Sequence, residues 1–222
     1  MGMGDGREVE AKFIPREAQI DALRKEHVKV SGFEIKLSTT KYQRDTYYDT
    51  PRMELTPLGA VCRVREIGGC VLVAFKADLD EGRDGIVHKC LEEEEEIESD
   101  KVRDFLGYKI QNRPYAALRS FMELNRLEGA LQELLRCEDY RRDQRVYSDG
   151  TTLVEVSVDE LVFQRNDRRV PSMFVESEFK GGDYEQFKGF CSGLKMQFDL
   201  KICQLNKVQI GVMRLMTPDR ND

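Results

Sequence analysis

Histidine is nearly absent: His27 and His88 are the only two in 222 residues. A zinc or iron centre built mainly from imidazoles is thereby excluded. Six cysteines, Cys62, Cys70, Cys90, Cys137, Cys191 and Cys203, never fall into a CxxC spacing. With no secretory leader at the start, they read as free thiols in a reducing, cytoplasmic compartment. No apolar run approaches the roughly 18–20 residues that a membrane-crossing helix needs, so no membrane partner is expected. Positive charge is not in excess either. The 41 acidic and 35 basic residues leave a net charge of -6, which argues against DNA or other non-specific nucleic-acid binding but not against a locally basic cavity. Internal repeats and long flexible linkers are also missing. A chain of this length forms one domain, set at residues 7–216, after a glycine-rich stretch at 1–6 that is expected to be disordered.

What is present is charge at alternate positions. In Glu8-Val9-Glu10-Ala11-Lys12-Phe13, the two-residue repeat of a strand puts Glu8, Glu10 and Lys12 on one face and the apolar residues on the other. Arg63/Arg65, Glu92/Glu94 and Glu176/Glu178 repeat the pattern. Several strands with both signs of charge on one face imply an antiparallel barrel with a polar interior. Such an interior suits a highly charged ligand together with a divalent metal.

Turn signals and periodicity place the elements. A helix is expected at about 15–27, where Pro15 precedes an apolar stripe through Ile20, Leu23 and His27. Strands are expected at 33–37 and 44–48, and a hairpin joins 60–66 to 70–77 through Gly68-Gly69. Residues 78–85 read as an exposed loop, followed by a strand from Ile86. Helices at 99–107 and 115–136 make 99–137 a helical segment between two halves of a barrel; Leu118, Phe121, Met122, Leu127, Leu131, Leu134 and Leu135 supply its apolar stripe. Strands return at 138–147, 152–163 and 173–179. A helix follows Gly181-Gly182 with Tyr184, Phe187, Phe190, Cys191 and Leu194 on one face. The apolar tail 208–216 closes the domain as a strand or helix.

Laid out in this order, the chain resembles the CYTH superfamily, the triphosphate tunnel metalloenzymes. The ExExK signature stands as Glu8, Glu10 and Lys12, and Tyr48-Asp49-Thr50-Pro51 matches a second signature. The RxR pair falls on Arg63 and Arg65, the next strand's lysine on Lys76, the late carboxylates on Asp159, Glu176 and Glu178, and the C-terminal basic residue on Lys207. Two departures stand out: Cys90 occupies a position usually basic, and Gln144 stands where an arginine is usual, so its role passes to Arg141, Arg142 or Arg145. The acidic run leaves open whether Glu92 and Glu94, or Glu93 and Glu95, face inward.

The resemblance implies an α+β fold: an eight-stranded antiparallel β-barrel forming a polar tunnel, with helices outside. It also implies a divalent-metal-dependent triphosphatase of inorganic tripolyphosphate or thiamine triphosphate, with Mg2+ or Mn2+ as cofactor. Lys12, Arg63, Arg65, Lys76, Arg142, Arg145 and Lys207 would hold the triphosphate, because guanidinium and ammonium groups match phosphoryl oxygens. Glu8, Glu10, Asp159, Glu176 and Glu178 would hold the metal, with Glu92 and Glu94 as further acidic candidates. Lys12, Arg65 and Glu176 would be catalytic, and Tyr48, Asp49 and Thr50 would support the wall. The alternatives are a class IV adenylate cyclase, an RNA or nucleoside 5'-triphosphatase, and a non-catalytic polyphosphate-binding module. Oligomeric state is not legible.

Overall fold

The computed structural model describes residues 6–25 and 28–217, and at 80–84 the backbone alone. His27 and residues 1–5, on which a helix end and a disordered start were expected, lie outside the described residues. The elements in order are β1 (Arg7–Ile14), α1 (Glu17–Leu23), β2 (Glu34–Asp49), β3 (Val61–Ile67), β4 (Cys70–Asp84), β5 (Val87–Ile97), α2 (Val102–Leu106), α3 (Arg113–Leu124), β6 (Gln132–Ser148), β7 (Leu153–Arg165), β8 (Arg168–Gly181), α4 (Tyr184–Gln197), β9 (Lys201–Ile202) and α5 (Lys207–Met216).

The strands pair in the order β5-β4-β3-β2-β6-β7-β8-β1, and β1 also pairs with β5. All these pairs are antiparallel. The ring of eight strands is therefore closed, which removes the exposed edges of an open sheet. Two-residue β9 pairs with the end of β1 outside that ring. Among the described residues no helix is long and apolar enough to cross a membrane.

Alternation along each strand sorts side chains between inside and outside. On β1, Ala11 and Phe13 are fully buried on the outer face, where Phe187, Phe190 and Leu194 of α4 and Ile20 and Leu23 of α1 join them. Asp183 caps α4 by accepting from Gln186 N. Across the barrel, Val64, Val73 and Phe75 pack outward against Phe105 of α2 and Leu118 and Met122 of α3. A third cluster lies inside the ring. Registers Tyr47↔Leu135, Asp45↔Cys137, Cys137↔Phe163 and Asp159↔Phe174 carry one inward face around the strands, and Leu135, Leu161, Phe163 and Phe174 on it meet Val208, Ile210 and Leu215 of α5. A Cβ on Gly211 would lie 2.9 Å from the Phe163 ring, so glycine there lets α5 close against this apolar floor.

Four expected boundaries are corrected. The strands set at 33–37 and 44–48 are one strand, β2, whose register shifts at Ile35/Leu37 and Lys41/Gln43 blur the alternation. The loop set at 78–85 is the continuation of β4, with Asp84 paired to Val87 across the turn. The helix set at 115–136 stops at Leu124. Asn125 closes it, Arg126 takes a positive φ of 56°, and Leu134 and Leu135 belong to β6. The segment 99–137 is consequently helical only in its first part. The first helix covers Glu17–Leu23 rather than 15–27. The Gly68-Gly69 hairpin forms as expected, both glycines having positive φ.

Candidate active site

Above the apolar floor the barrel interior opens into a chamber of about 490 Å³ whose walls carry both signs of charge. β1 contributes Glu8, Glu10 and Lys12; β3, Arg63 and Arg65; β4, Lys76; β5, Glu92 and Glu94; β6, Arg142 and Gln144; β8, Glu176, Glu178 and Lys180; and the first turn of α5, Lys207. The alternation of eight different strands brings together residues up to about 200 positions apart in the chain. The register of the acidic run is decided: Glu92 and Glu94 face inward opposite Lys76 and Ala74, whereas Glu93 lies outside, 3.6 Å from Arg113.

The charges divide into neighbouring groups. Lys76 Nζ contacts Glu8, lies 2.9 Å from Glu10 Oε1 and 3.5 Å from Glu92 Oε2. Lys12 Nζ donates to Glu10. Arg63 bridges Glu92 at 2.6 Å and Glu94 at 3.1 Å. Arg142 and Lys207 converge on Asp159 at 2.7 and 2.5 Å, and on Glu176 at 3.7 and 3.1 Å. Burial drives the lysine and arginine pKa values down, but these carboxylates outweigh it, so Lys12, Lys76, Arg142 and Lys207 are raised and remain cations. Burial likewise pushes Glu176 up, and Lys207, Lys12 and Arg142 overcome it to hold its carboxyl low.

Glu8 behaves differently. Burial raises its carboxyl and, although Lys76 opposes this, crowding by Glu92 and Glu10 leaves it well above the ordinary range. Glu8, Glu10 and Cys90 bring two carboxylate oxygens and a thiol within 4.8 Å of one another. Crowded carboxylates of this kind are relieved by a divalent cation, and their oxygens match Mg2+ or Mn2+. The residues present therefore fit such an ion. Cys90 Sγ lies 3.5 Å from Glu8 Oε2, and burial raises its thiol, which stays protonated.

Arg145 and Asp159 stand elsewhere than expected. Arg145, expected on the triphosphate, points outward; even-numbered Arg142 and Gln144 take the inward face. It donates to the carbonyls of Leu23, Arg24 and Lys25 and so fastens the end of α1 to β6. Asp159, expected among the metal ligands, is fully buried behind Arg142 and Lys207 and serves as their shared counter-ion. Asp49 accepts from the backbone of Thr50, Leu55 and Thr56 and from the Thr56 hydroxyl, and Thr50 accepts from Glu54 N. These two residues build the turn after β2. Tyr48 packs on the outer face against the cluster under α2 and α3, where burial raises its phenol to about 12.

Inward residues of β2 were overlooked. Asp45 binds Arg65 through two bonds of 2.7 and 2.8 Å; burial alone would raise this carboxyl, and Arg65 brings it down to about 2. Tyr47 donates to Asp45 Oδ2 at 3.2 Å, and Gln43 donates to Asp139 at 2.6 Å. Gln43, Asp45 and Tyr47 alternate in sequence, so the period-two signal was present. Lys180, two residues after Glu178 and bound to it, followed the same signal.

Comparison with known proteins agrees with this architecture. A family profile described as CYTH domain matches residues 6–209. Among solved structures, a candidate adenylate cyclase of Bacillus halodurans superposes with a TM-score of 0.63 at 14% identity, covering 96% of this chain and 100% of its own. A Hippeastrum protein, a candidate adenylyl cyclase described as having a dominant triphosphatase activity, gives 0.62 at 17% identity, covering 95% and 98%. The PH1819 protein of Pyrococcus horikoshii OT3 gives 0.53 at 18%, covering 93% and 99%. No curated protein sequence matches.

Proposed function

The chain belongs to the CYTH family, and on that premise we propose that it hydrolyses the terminal phosphate of a small triphosphate, inorganic tripolyphosphate or thiamine triphosphate, with Mg2+ or Mn2+. The observation that carries the reading is one chamber whose wall interleaves cations, Arg63, Arg65, Arg142 and Lys207, with carboxylates, Glu8, Glu10, Glu176 and Glu178. Arginine forks and lysine ammonium groups bind phosphoryl oxygens and neutralise their charge. Carboxylates repel the same anion unless a cation stands between them. Glu8 and Glu10, with Glu176 and Glu178 facing them from β8, would hold that cation, whose chemistry when bound is to polarise a phosphoryl oxygen and lower the pKa of water.

Lys12 carries the remaining role on this wall. Its ammonium is buried, held by Glu10 and opposite Glu176 in register, so it stays charged where a terminal phosphoryl group would lie and stabilises charge that develops on transfer. Arg65, fixed by Asp45, is pre-aimed and loses little side-chain freedom on binding. Phosphate release from tripolyphosphate, thiamine triphosphate and ATP, each with Mg2+ and Mn2+, tests the proposal. Orthophosphate from one of them is the expected result. Cyclic AMP and pyrophosphate from ATP would replace hydrolysis with cyclase chemistry. Binding of all three with no product would make the chamber a polyphosphate receptor.

A further inference from the structure

Asp139 is buried where the charged chamber meets the apolar floor, and its neighbours leave it incompletely satisfied. Gln43 Nε2 donates to Oδ2 at 2.6 Å, whereas Oδ1 has no hydrogen-bond partner, although the residue is only 1% exposed. Asp159 Oδ1 is also buried and unpartnered. Asp139 pairs with Leu161 across β7, two positions from Asp159, which places the two carboxylates diagonally on the inward face. The charged and titratable groups facing Asp139 are Asp45 from β2, Arg142 and Cys137 from β6, Asp159 from β7 and Lys207 from α5.

Burial raises the Asp139 carboxyl, Lys207 and Arg142 oppose this, Asp159 and Asp45 add to it, and the balance stands at about 6. The opposing cations are the two that also face the chamber. A polyanion bound to Lys207 and Arg142 would bring several negative charges close and weaken the field that keeps Asp139 ionised. A proton on Oδ1 would then cost less than a second buried negative charge beside Asp159.

We infer that Asp139 is a positioning residue of the chamber: it takes up a proton from solvent as a polyanion engages Lys207 and Arg142, linking occupancy of the charged half of the barrel to protonation at its floor. The inference rests on the triphosphate reading of the chamber. At most one proton is bound per ligand, the fraction growing with the midpoint shift, and no covalent bond changes. Binding weakens as pH rises through the interval between the free and bound midpoints, with a limiting slope of about tenfold per pH unit.

The test uses the full chain with aspartate carboxyl carbons labelled for NMR. In the free wild type one carboxyl titrates near pH 6; it disappears in Asp139→Asn and moves upward by at least about half a pH unit with inorganic tripolyphosphate. Calorimetry of tripolyphosphate binding in buffers of different ionisation enthalpy shows proton uptake in the wild type, and the variant loses it. Gln43→Leu, which keeps Asp139 but removes its donor, raises the free midpoint and guards against a misfolded Asn variant. A free wild-type protein with no carboxyl titrating above about pH 5 overturns the inference, and so does tripolyphosphate binding with an unmoved midpoint. If the midpoint is found and tripolyphosphate does not bind, the triphosphate reading falls and the linkage falls with it. The free-protein titration tells these failures apart.

Discussion

The two halves of the barrel interior lie within one closed ring of strands and have opposite chemistry. The chamber buries Lys76 among Glu8, Glu10 and Glu92, and buries Arg142 and Lys207 on Asp159. The floor buries Leu135, Leu161, Phe163 and Phe174 under α5. Burying ion pairs stabilises a fold weakly at best, because desolvation offsets attraction. Burying large apolar side chains is worth roughly 1.5–3 kcal/mol each. The difference teaches that the floor, with the helices packed outside, holds the barrel closed, and that closure permits an array of charges which would not assemble for its own stability. Lys207 joins the halves: it opens α5, its ammonium reaches Asp159, and it lies 5.8 Å from the centre of the Phe174 ring.

If the division holds, the largest effect on stability belongs to the floor. Phe163→Ala is expected to destabilise by roughly 3–5 kcal/mol, read by urea denaturation, while tripolyphosphate affinity of the folded protein changes less than about threefold. A large loss of affinity at unchanged stability would break the comparison. On the chamber side, Glu10→Gln and Glu176→Gln are each expected to lower metal-dependent phosphate release about a hundredfold or more, with the fold kept by circular dichroism and a lower thermal midpoint, since each leaves buried cations short of a counter-ion. Wild-type turnover in either variant would remove that residue from the site.

How much of this was legible follows from the same contrast. Charged residues at alternate positions on one strand fit a wet outer face equally well, but both signs repeated on several strands point to a polar interior, so the barrel class and the inward faces of β1, β3 and β8 could be read from Glu8/Glu10/Lys12, Arg63/Arg65 and Glu176/Glu178 taken together. Apolar residues carry no such label. Leu135 and Phe163, inside the ring, look the same in sequence as Phe75 and Val154, outside it, and Leu134 and Leu135 continued a helical spacing past the true end of α3. β2 was divided because the polar run Ser38-Thr39-Thr40 and two register shifts hid its alternation. That left Gln43, which faces Asp139, between the two expected strands; Asp45, the partner of Arg65, stood inside 44–48, where one charge in so short an alternation does not mark its face. Arg145 was misplaced because a basic run, Arg141 to Arg145, offers cations to both faces until the bulge between Asp139 and Arg141 is known.

Asp45 sharpens the comparison through pH. Its carboxyl stands at about 2 in the folded chain, below an ordinary aspartate, so its stabilising contribution is complete above about pH 4 and is lost as pH falls through about 2. The depression corresponds to about 2 kcal/mol. Asp45→Asn should therefore reduce stability by about that amount at pH 6, and the difference should shrink steadily below about pH 4. Denaturation curves at several pH values check this, and a difference independent of pH would mean that shape rather than charge holds Asp45 in place.

The smallest effect separates two arginines that the sequence treated alike. Arg65 and Arg145 are both largely buried, but Arg65 faces the chamber from Asp45 and Arg145 faces outward onto the carbonyls that end α1. Arg65→Ala should raise KM for tripolyphosphate about tenfold, the loss of one charge-assisted contact, with a smaller change in kcat. Arg145→Met keeps the apolar stem and removes the guanidinium, leaving three carbonyls at the helix end short of a donor; it should lower the thermal midpoint and leave KM unmoved. Equal KM values in the two variants would show that inward and outward faces of β3 and β6 do not differ in function, and the separation of charged chamber from structural wall would fail at its most direct point.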